Sequence, residues 1–384
     1  MNRSTSPLDL TREMFPALAG KGYAYLNSGG SGPSPREVVE AMREVDELCS
    51  GPAYLEGAGL YARQGEAAAR ARNAAARLVG APPEDVALTQ NTTHGMNLGT
   101  FSLDWEAGDE VISTSTEHPG CLVPLYGLQS RYGVRVRLVP PPVTAEKVAA
   151  EIGPRTRLVS LSHVDWTTGE VLPLEEISAA ARDRGVLTLV DGAQSVGNIP
   201  VDAPATGADM YAFTGHKWLL GPEGMGAFYV RPDCRAHSPN LGYASLADSA
   251  SFDYEGNFEL HRGARRFEAS TTSPALAGGF AKAAEAAIER GAAGPVEIRS
   301  RADLLMDRLS ELPKVGMVSP RPAQSGLVSF TVEGVESKDA AARLLEEKFV
   351  VRFVPDPHPY VRASTHLFNE EEELEALAEA VGRL

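Results

Sequence analysis

Short apolar segments and amphipathic segments alternate along the first two thirds of the chain. Seven short segments are predicted to be strands buried on both faces of a sheet, because each is brief and nearly continuous in apolar residues: VALTQ, EVISTS, VRVRLV, RLVSLS, LTLVD, MYAFT and GAFYV. Two longer segments, GEAAARARNAAARLVG and LEEISAAARDRG, have helical spacing and end in a glycine that can adopt the left-handed conformation. The alternation predicts a doubly wound α/β domain whose seven-stranded sheet is mostly parallel.

An earlier segment also has helical spacing. Its apolar positions recur every three or four residues, at Val38, Met42, Val45 and Leu48. Ser34, Pro35 and Glu37 stand before it in the order of a capping box with proline in the first turn. We therefore expect a helix that begins at this box.

The pattern changes beyond residue 265. Two alanine-rich helical segments come first, followed by the strand-like segments GLVSFTVEG and FVVRFV and by the acidic helical segment EEEELEALAEAVGRL. This order is typical of a smaller α+β domain. We predict a large domain over residues 23–265 and a small domain formed by residues 1–22 and 266–384.

Composition narrows the classes of function. The 384 residues carry a net charge of −15, which argues against nucleic acid or an anionic membrane as partner, since both need basic patches. No apolar stretch is long enough to span a bilayer, and MNRSTSPLDL lacks the apolar core of a signal peptide. The three cysteines have no metal-ligand spacing and leave an odd thiol, so we expect a reducing cytoplasm and no metal site.

Candidate chemistry lies in the segment FTGHKWLLGPEGMGAFYV. Lys217 stands between two predicted strands and just ahead of Gly221, Gly224 and Gly226, which permit a tight, irregular path. At this place a lysine would point to the carboxyl edge of the sheet, where open α/β sheets bind ligands. By itself, Lys217 would more simply be interpreted as a solvated loop residue. Whether it belongs to a site therefore depends on the neighbouring motifs.

Three further segments supply complementary groups. Asp191 ends the strand LTLVD, either as a turn former or as a carboxylate that faces a cationic ring nitrogen. Asn91, Thr92 and Thr93 open a helix, and the free amides and hydroxyls of a helix start can bind phosphate. His118 follows a strand in STSTEHPG; a lone histidine is usually structural.

Pyridoxal phosphate needs all of these groups together. It requires a lysine for its aldehyde, an acid for its pyridine nitrogen, a phosphate cradle and a flat group over its ring. We therefore predict that Lys217 forms the Schiff base and that His216 contacts the phosphate.

The chain resembles the class V, fold type I pyridoxal-phosphate enzymes over nearly its whole length. The segments that carry the resemblance are NTTHGMN, EHPG, SLSHVDWTTGEVLP, VDGAQS, FTGHKW and RRFEAST. It implies the fold type I transferase architecture, with Lys217, Asp191 and His118 as catalytic residues. It further assigns Asp191 to the pyridine nitrogen, Gln194 to the ring hydroxyl and His118 to stacking on the ring. The phosphate contacts that it implies are Thr92, Thr93, His216 and, reaching across from a second subunit of a homodimer, Thr271.

Two departures from the cysteine desulfurases of this family stand out. Those enzymes carry a nucleophilic cysteine on a small-domain loop, whereas the matching stretch here, FVVRFVPDPHPYVRASTHLF, contains none. Trp166 stands where desulfurases usually have an asparagine. Both features, with SGLVSFTV and LNSGGSGP, resemble the cystine C–S lyases, which eliminate sulfur and make pyruvate. Cys121 follows EHPG and could lie near the cofactor, but a packed small residue is the more ordinary expectation.

The resemblance also implies how the substrate binds. Arg362 in YVRAS matches the arginine that clamps the α-carboxylate in a bidentate fork. Arg352 resembles a second arginine that could hold the distal carboxylate of cystine, although its spacing to Arg362 is one residue longer than expected; a surface arginine is the alternative. Freed Lys217 would then take the α-proton as general base, and a persulfide would leave more readily than a simple thiolate.

Other activities on the same scaffold stay open. An aminotransferase, an epimerase or another lyase would use the same cofactor geometry, because the fold does not fix the reaction. A desulfurase is less favoured, because its nucleophile is missing. A cofactor-sensing regulator is also disfavoured, because such proteins append a DNA-binding domain and only residues 1–22 precede the family core here.

Overall fold

A computed structural model describes residues 6–55, 58–248, 250–355 and 357–384. The helices are α1 Arg36–Ser50, α2 Ala58–Leu78, α3 Thr92–Thr100, α4 Pro119–Tyr132, α5 Ala145–Glu151, α6 Leu174–Arg182, α7 Pro274–Arg290, α8 Ala293–Ser310, α9 Ser337–Glu346 and α10 Glu371–Gly382. The strands are β1 Ala24–Tyr25, β2 Val86–Thr89, β3 Glu110–Thr114, β4 Arg135–Val139, β5 Thr156–Ser162, β6 Leu187–Asp191, β7 Met210–Thr214, β8 Gly226–Val230, β9 Val315–Met317, β10 Leu327–Val332, β11 Phe349–Val350, β12 Arg352–Val354 and β13 Tyr360–Ser364.

The largest sheet has seven strands in the order β2-β8-β7-β6-β5-β3-β4. Each of the seven predicted apolar segments forms one of them. All neighbours pair in parallel except β8, which runs antiparallel to both β2 and β7. The predicted mostly parallel α/β sheet is therefore confirmed.

Helices cover both faces of this sheet, which explains the continuous apolar runs of its central strands. In β7, Met210 and Ala212 lie in one hydrophobic cluster with α3 and α4, while Tyr211 and Phe213 lie in another with α2, α6 and α7. The edge strand β4 is the exception, since most of its residues are exposed or only half-buried. Successive side chains of a central strand thus point into apolar layers on opposite faces of the sheet.

Several predicted helix ends are confirmed. Gly80 and Gly185 follow α2 and α6 with φ of +69° and +70°, as expected for glycines that end a helix. The capping box before α1 was a wrong prediction. Pro35 is the cap residue and has no side-chain bond to the helix, because the Ser34 hydroxyl donates instead to the Gly221 carbonyl at 3.1 Å. A distant carbonyl therefore replaces the helix amide as the partner of the Ser34 hydroxyl.

A second sheet, in the order β12-β13-β10-β9, is antiparallel, and helices α8, α9 and α10 pack on it. Strand β1 pairs in parallel with β11, so the chain before the large sheet also contacts the C-terminal part. Helix α7 packs against α1, α2 and the large sheet's apolar cluster. The domain division at residue 265 stays a prediction, in which α7 would join the small domain to the large one. Within the described ranges, no helix is both long and apolar enough to cross a membrane.

Candidate active site

Lys217 and Asp191 lie at the carboxyl edge of the large sheet. Asp191 is the last residue of β6, and Lys217 follows the adjacent strand β7 by three residues. Burial lowers the pKa of Lys217 to about 8; the charge of Asp191 opposes this shift, and those of Arg362 and Arg352 add to it. The lysine therefore lies within electrostatic reach of one carboxylate and two guanidinium groups.

The Asp191 carboxylate is held in place by a backbone amide two residues further along the chain. It is buried, and its Oδ1 accepts a hydrogen bond from the Ala193 amide at 2.9 Å. Burial raises its pKa, whereas the Ala193 bond and the Lys217 charge lower it. Oδ2 has no such bond among the described residues, so one carboxylate oxygen is available to a ligand.

His118 is the cap residue of α4 and is fixed by its own helix. Its Nδ1 accepts from the Gly120 amide at 3.0 Å, which leaves the proton of the neutral ring on Nε2. Burial lowers the pKa of His118 to about 4, and the charges of Lys217, Arg352 and Arg362 contribute. The imidazole is therefore neutral at pH 7, and it offers a flat, uncharged face to a ring stacked on it.

Trp166 forms a wall between His118 and the two arginines. Its indole meets the His118 ring edge-on, with ring centroids 5.0 Å apart, and donates from Nε1 to the Thr116 carbonyl at 2.8 Å. The guanidinium carbons of Arg352 and Arg362 lie 5.7 Å and 5.9 Å from the indole centroid, within cation–π range.

The two arginines face each other across neighbouring strands. Arg352 in β12 and Arg362 in β13 are directly paired residues, so their side chains share one face of the small sheet. Arg362 is fully buried, and burial lowers its pKa to about 9. Its Nη1 donates to the Trp166 carbonyl at 2.6 Å, while Nε and Nη2 have no partner in the part of the chain that the structure describes. Buried N–H groups are rarely left without an acceptor. Nε and Nη2 of Arg362 are therefore available to a ligand.

The predicted phosphate contacts lie at the start of α3 and beside β7. The Asn91 side chain caps α3 by accepting from the His94 amide at 2.9 Å, and the buried Thr92 hydroxyl has no partner among the described residues. A Cβ atom at Gly120 would lie 2.6 Å from the Thr93 hydroxyl oxygen, so Thr93 lies against the segment that carries His118. His216 contacts the Thr214 hydroxyl through Nδ1 at 2.7 Å, and burial lowers its pKa.

The other two predicted cofactor contacts, Gln194 and Thr271, differ in burial and in their hydrogen bonds. The Gln194 amide is already engaged at both ends, since Nε2 donates to the Gly29 carbonyl and Oε1 accepts from the Trp218 indole, each at 2.8 Å. The second Nε2 hydrogen stays available for a ring hydroxyl. Thr271 is exposed and bonds to the Tyr243 hydroxyl; no described contact links it to Lys217 in the same chain. Its role across subunits stays a prediction.

These groups fit pyridoxal phosphate. The site offers an amine with lowered pKa, a buried carboxylate with one free oxygen, a neutral aromatic ring and an unpartnered buried hydroxyl at a helix start. Each corresponds to one part of the cofactor: aldehyde, ring nitrogen, ring face and phosphate. The two unpartnered nitrogens of Arg362, Nε and Nη2, are left over by this assignment and could bind a substrate carboxylate.

Sequence reasoning missed two buried acids at the site. Glu117 accepts from the Ser162 amide at 2.8 Å and from the Thr114 hydroxyl at 3.0 Å, and burial raises its pKa to about 8. Asp165 accepts from the amides of Thr167 and Thr168, both at 2.8 Å. The order Asp-x-Thr-Thr is a readable signal for such a turn, because the carboxylate can bond amides two and three residues ahead. Glu117 stands beside His118 but carries no pattern that predicts its burial.

The three cysteines are free and buried. Cys121 packs in the cluster with α3 and α4, with its Sγ 3.5 Å from the Ser160 hydroxyl, and burial raises its pKa well above the usual value. Such a thiol is a poor nucleophile, because the thiolate is the reactive form.

Comparison with known proteins identifies relatives of the same size. The family described as "Aminotransferase class-V" matches residues 24–377. The chain is 30% identical to a protein named probable cysteine desulfurase 2 from Mycobacterium leprae (strain TN), over 92% of this chain and 88% of the relative. It is also 31% identical to an isopenicillin N epimerase from Streptomyces clavuligerus, over 94% of each chain.

The fold is similar to that of a solved lyase. The structure of the cystine C–S lyase C-DES in complex with its reaction product, cysteine persulfide, has a TM-score of 0.87 and 32% sequence identity, over 96% of this chain and 99% of that one. In a second structure of C-DES, a lysine-to-alanine variant, glycine is covalently linked to the PLP cofactor; the TM-score is 0.88 at 32% identity, over 97% and 99% of the two chains.

Proposed function

Since the chain belongs to the class V aminotransferase family of pyridoxal-phosphate enzymes, we propose that it is a carbon–sulfur lyase acting on amino acids of the cystine type. Its products would be pyruvate, ammonia and a persulfide or sulfide. The paired arginines carry this proposal, because Arg352 and Arg362 place two cationic groups on one face beside Trp166. Cystine has two carboxylates, and each can bind one guanidinium.

Four residues would do the chemical work. When bound, the cofactor supplies an aldehyde for the amino group of the substrate and a ring that accepts electrons. Asp191 would hold the proton on the ring nitrogen, and the neutral His118 ring would cover the ring face. Arg362 would fix the α-carboxylate through Nε and Nη2. The lowered pKa of Lys217 suits a general base that takes the α-proton near neutral pH.

The missing thiol favours elimination over sulfur transfer to the enzyme. Five residues, 355–359, join β12 to β13, and no cysteine lies among them or elsewhere in residues 349–368. Asp356 in this connection lies outside the described residues. The cysteines present are buried, and burial raises the pKa of Cys121 and Cys234. A desulfurase needs an accessible thiolate to accept sulfur, whereas an eliminating lyase does not.

Product identification tests the proposal. Cystine and cysteine are supplied separately to the purified enzyme, and pyruvate, alanine and the D-enantiomer of each substrate are measured. We expect pyruvate to dominate and to persist in a variant with Cys49, Cys121 and Cys234 all changed to Ala, provided that thermal unfolding shows the variant to be folded. Alanine as main product would indicate a desulfurase, and an intact C–S bond with inverted stereochemistry would indicate an epimerase.

Substitution of the arginines tests how the substrate binds. Arg352→Ala should lower kcat/KM for cystine much more than for cysteine, because cysteine has no distal carboxylate. Arg362→Lys serves as the matched control and should reduce both, because it keeps the charge but loses the planar fork. Equal losses in Arg352→Ala would remove Arg352 from substrate selection.

A further inference from the structure

Asp165 accepts five hydrogen bonds, four from the two threonines that follow in its own loop and one from Thr116. Its Oδ1 accepts from the amide and hydroxyl of Thr167 at 2.8 Å and 2.6 Å, and from those of Thr168 at 2.8 Å and 3.2 Å. Its Oδ2 accepts from the Thr116 hydroxyl. Hydrogen bonds to a buried carboxylate are strong, so Asp165 holds the loop that carries Trp166 from the side of the seven-stranded sheet.

Thr116 connects this carboxylate to the indole. Its hydroxyl donates to Asp165, while its backbone carbonyl accepts from Nε1 of Trp166 at 2.8 Å. One residue thus fixes both the carboxylate and the edge of the ring. The indole orientation therefore depends on the position of Asp165.

The same loop is bound from the other side by the small sheet and the segments beside it. The carbonyls of four consecutive residues, 166–169, each accept one side-chain hydrogen bond: from Arg362 at 2.6 Å, Ser329 at 2.5 Å, Ser319 at 2.6 Å and Ser325 at 2.9 Å. Ser329 and Arg362 are directly paired across β10 and β13, and Arg362 is paired with Arg352. Ser329, Arg362 and Arg352 therefore lie side by side across β10, β13 and β12. The first two donate to the loop, and the last two are the paired arginines.

Close packing leaves the loop little freedom. Gly169 has a φ of +79°, and a Cβ atom there would lie 2.8 Å from the Leu327 Cβ. The loop can approach the small sheet this closely only because glycine occupies that position.

We propose that Asp165 is a positioning residue, which with the three serine hydroxyls locks Trp166 against Arg362 and Arg352 so that the indole and both guanidinium groups form one preformed substrate wall. The inference rests on the proposed role of the arginines in binding substrate carboxylates. Binding to a preformed wall loses less side-chain freedom than binding to one that must be ordered, so the loss of Asp165 weakens binding.

Fluorine NMR of protein labelled with 5-fluorotryptophan tests the positioning without turnover. The sequence has three tryptophans, so the resonance of Trp166 can be identified from its absence in Trp166→Phe. In Asp165→Ala we expect the Trp166 resonance alone to broaden or split, while those of Trp105 and Trp218 stay unchanged. Asp165→Asn should restore a single sharp resonance, because the amide oxygen still accepts from both threonines and the Thr116 hydroxyl can turn to accept from the amide nitrogen.

A second buried aspartate provides the matched control. Asp209 is as buried as Asp165 and accepts from the Thr188 amide at 2.8 Å, but it precedes β7 at the opposite edge of the sheet. Asp209→Ala should lower the unfolding temperature without changing the Trp166 resonance. A triple variant with Ser319, Ser325 and Ser329 changed to Ala gives an independent route if Asp165→Ala does not fold, and should broaden the same resonance.

Kinetics give the second readout. We expect Asp165→Ala to lower kcat/KM roughly 10- to 100-fold, mainly through KM, and Asp165→Asn to recover most of the loss. The double variant Asp165→Ala with Trp166→Ala should have the KM of Trp166→Ala alone, because Asp165 acts through the indole. An unchanged Trp166 resonance in Asp165→Ala and in the triple serine variant, or additive KM effects, would overturn the inference. Failure of the lyase proposal would show instead in the products formed and leave the NMR result standing.

Discussion

The carboxyl group of Glu117 is enclosed beneath the site, with the charges of Asp191 and Asp165 nearby. Burial is the largest cause of its raised pKa, and these two negative charges raise it further. A neutral Glu117 adds no negative charge next to Asp191, the carboxylate predicted to face the cofactor ring. Protonation of Glu117 thus lessens the repulsion among three neighbouring acids.

Glu117→Gln should change the pH dependence of stability. The folded protein keeps the Glu117 proton up to about pH 8, whereas the unfolded chain loses it near 4.5. The folded state therefore binds more protons between these values, and this group's contribution to the free energy of unfolding falls as pH rises through that window. Glutamine cannot ionise; its Oε1 can still accept from the Ser162 amide, and the Ser162 hydroxyl can turn to accept from its Nε2. We expect similar stability for variant and wild type at pH 5, but a variant more stable by a few kcal/mol at pH 8.5.

Denaturant unfolding at both pH values measures this difference. Because other groups titrate in both proteins, the comparison is the variant minus the wild type at each pH. A difference that does not change with pH would show that Glu117 is ionised in the folded protein.

At the scale of elements, helix α3 combines two roles in its first turn. Asn91 caps the helix through the His94 amide, and the next two residues carry the hydroxyls predicted to bind phosphate. The same free amides that need a cap also attract an anion. Stability of the helix and affinity for the cofactor can therefore be separated by changing only the cap.

We expect Asn91→Ala to lower the free energy of unfolding by about 1 kcal/mol, because the His94 amide loses its acceptor. Asn91→Asp should keep that stability, since aspartate is an equally good cap, but should weaken cofactor retention by placing a negative charge beside the phosphate. Unfolding in denaturant and release of cofactor during dialysis measure the two effects. Equal cofactor retention in Asn91→Asp and wild type would argue against a phosphate at this helix start.

Most elements could be predicted because their signals are local. The strands of the large sheet are mostly continuous apolar runs, since both faces are covered, and helix ends are marked by glycines such as Gly80. The side-chain bonds to the carbonyls of residues 166–169 could not be predicted, because their donors, three serine hydroxyls and one guanidinium, lie more than 150 positions away and leave no pattern in the sequence. The Ser34 prediction failed for the same reason, since its acceptor, Gly221, is 187 positions distant.

At the scale of the whole molecule, several large apolar side chains between residues 54 and 258 are exposed. They include Tyr54, Leu55, Tyr61, Leu241, Tyr243, Phe252, Tyr254 and Phe258. Exposed apolar groups of this size often mark protein interfaces. One of them, Tyr243, bonds to Thr271, the residue predicted to reach across the dimer.

Complementation between two inactive variants tests the shared site. Lys217→Ala removes the predicted Schiff-base lysine, and Thr271→Glu places a negative charge where a phosphate is predicted. In a mixed dimer one site would carry both substitutions and the other neither, because the two residues come from different chains. Random reassortment should therefore restore about a quarter of wild-type activity. Mixed dimers that form but stay inactive would show that Thr271 does not serve the neighbouring site.

The candidate active site draws on residues from Gly29 to Arg362, and this spread has a consequence for synthesis. A nascent chain contains Lys217 long before it contains the arginine row or the serines that hold the Trp166 loop. At about 5–20 residues per second, the segment from 217 to 362 takes roughly 7–30 s to make. A cofactor that met the early chain would find its lysine and its acid but no substrate wall. An aldehyde that reached the early chain would therefore meet the Lys217 amine before the residues proposed to select an amino acid have been made.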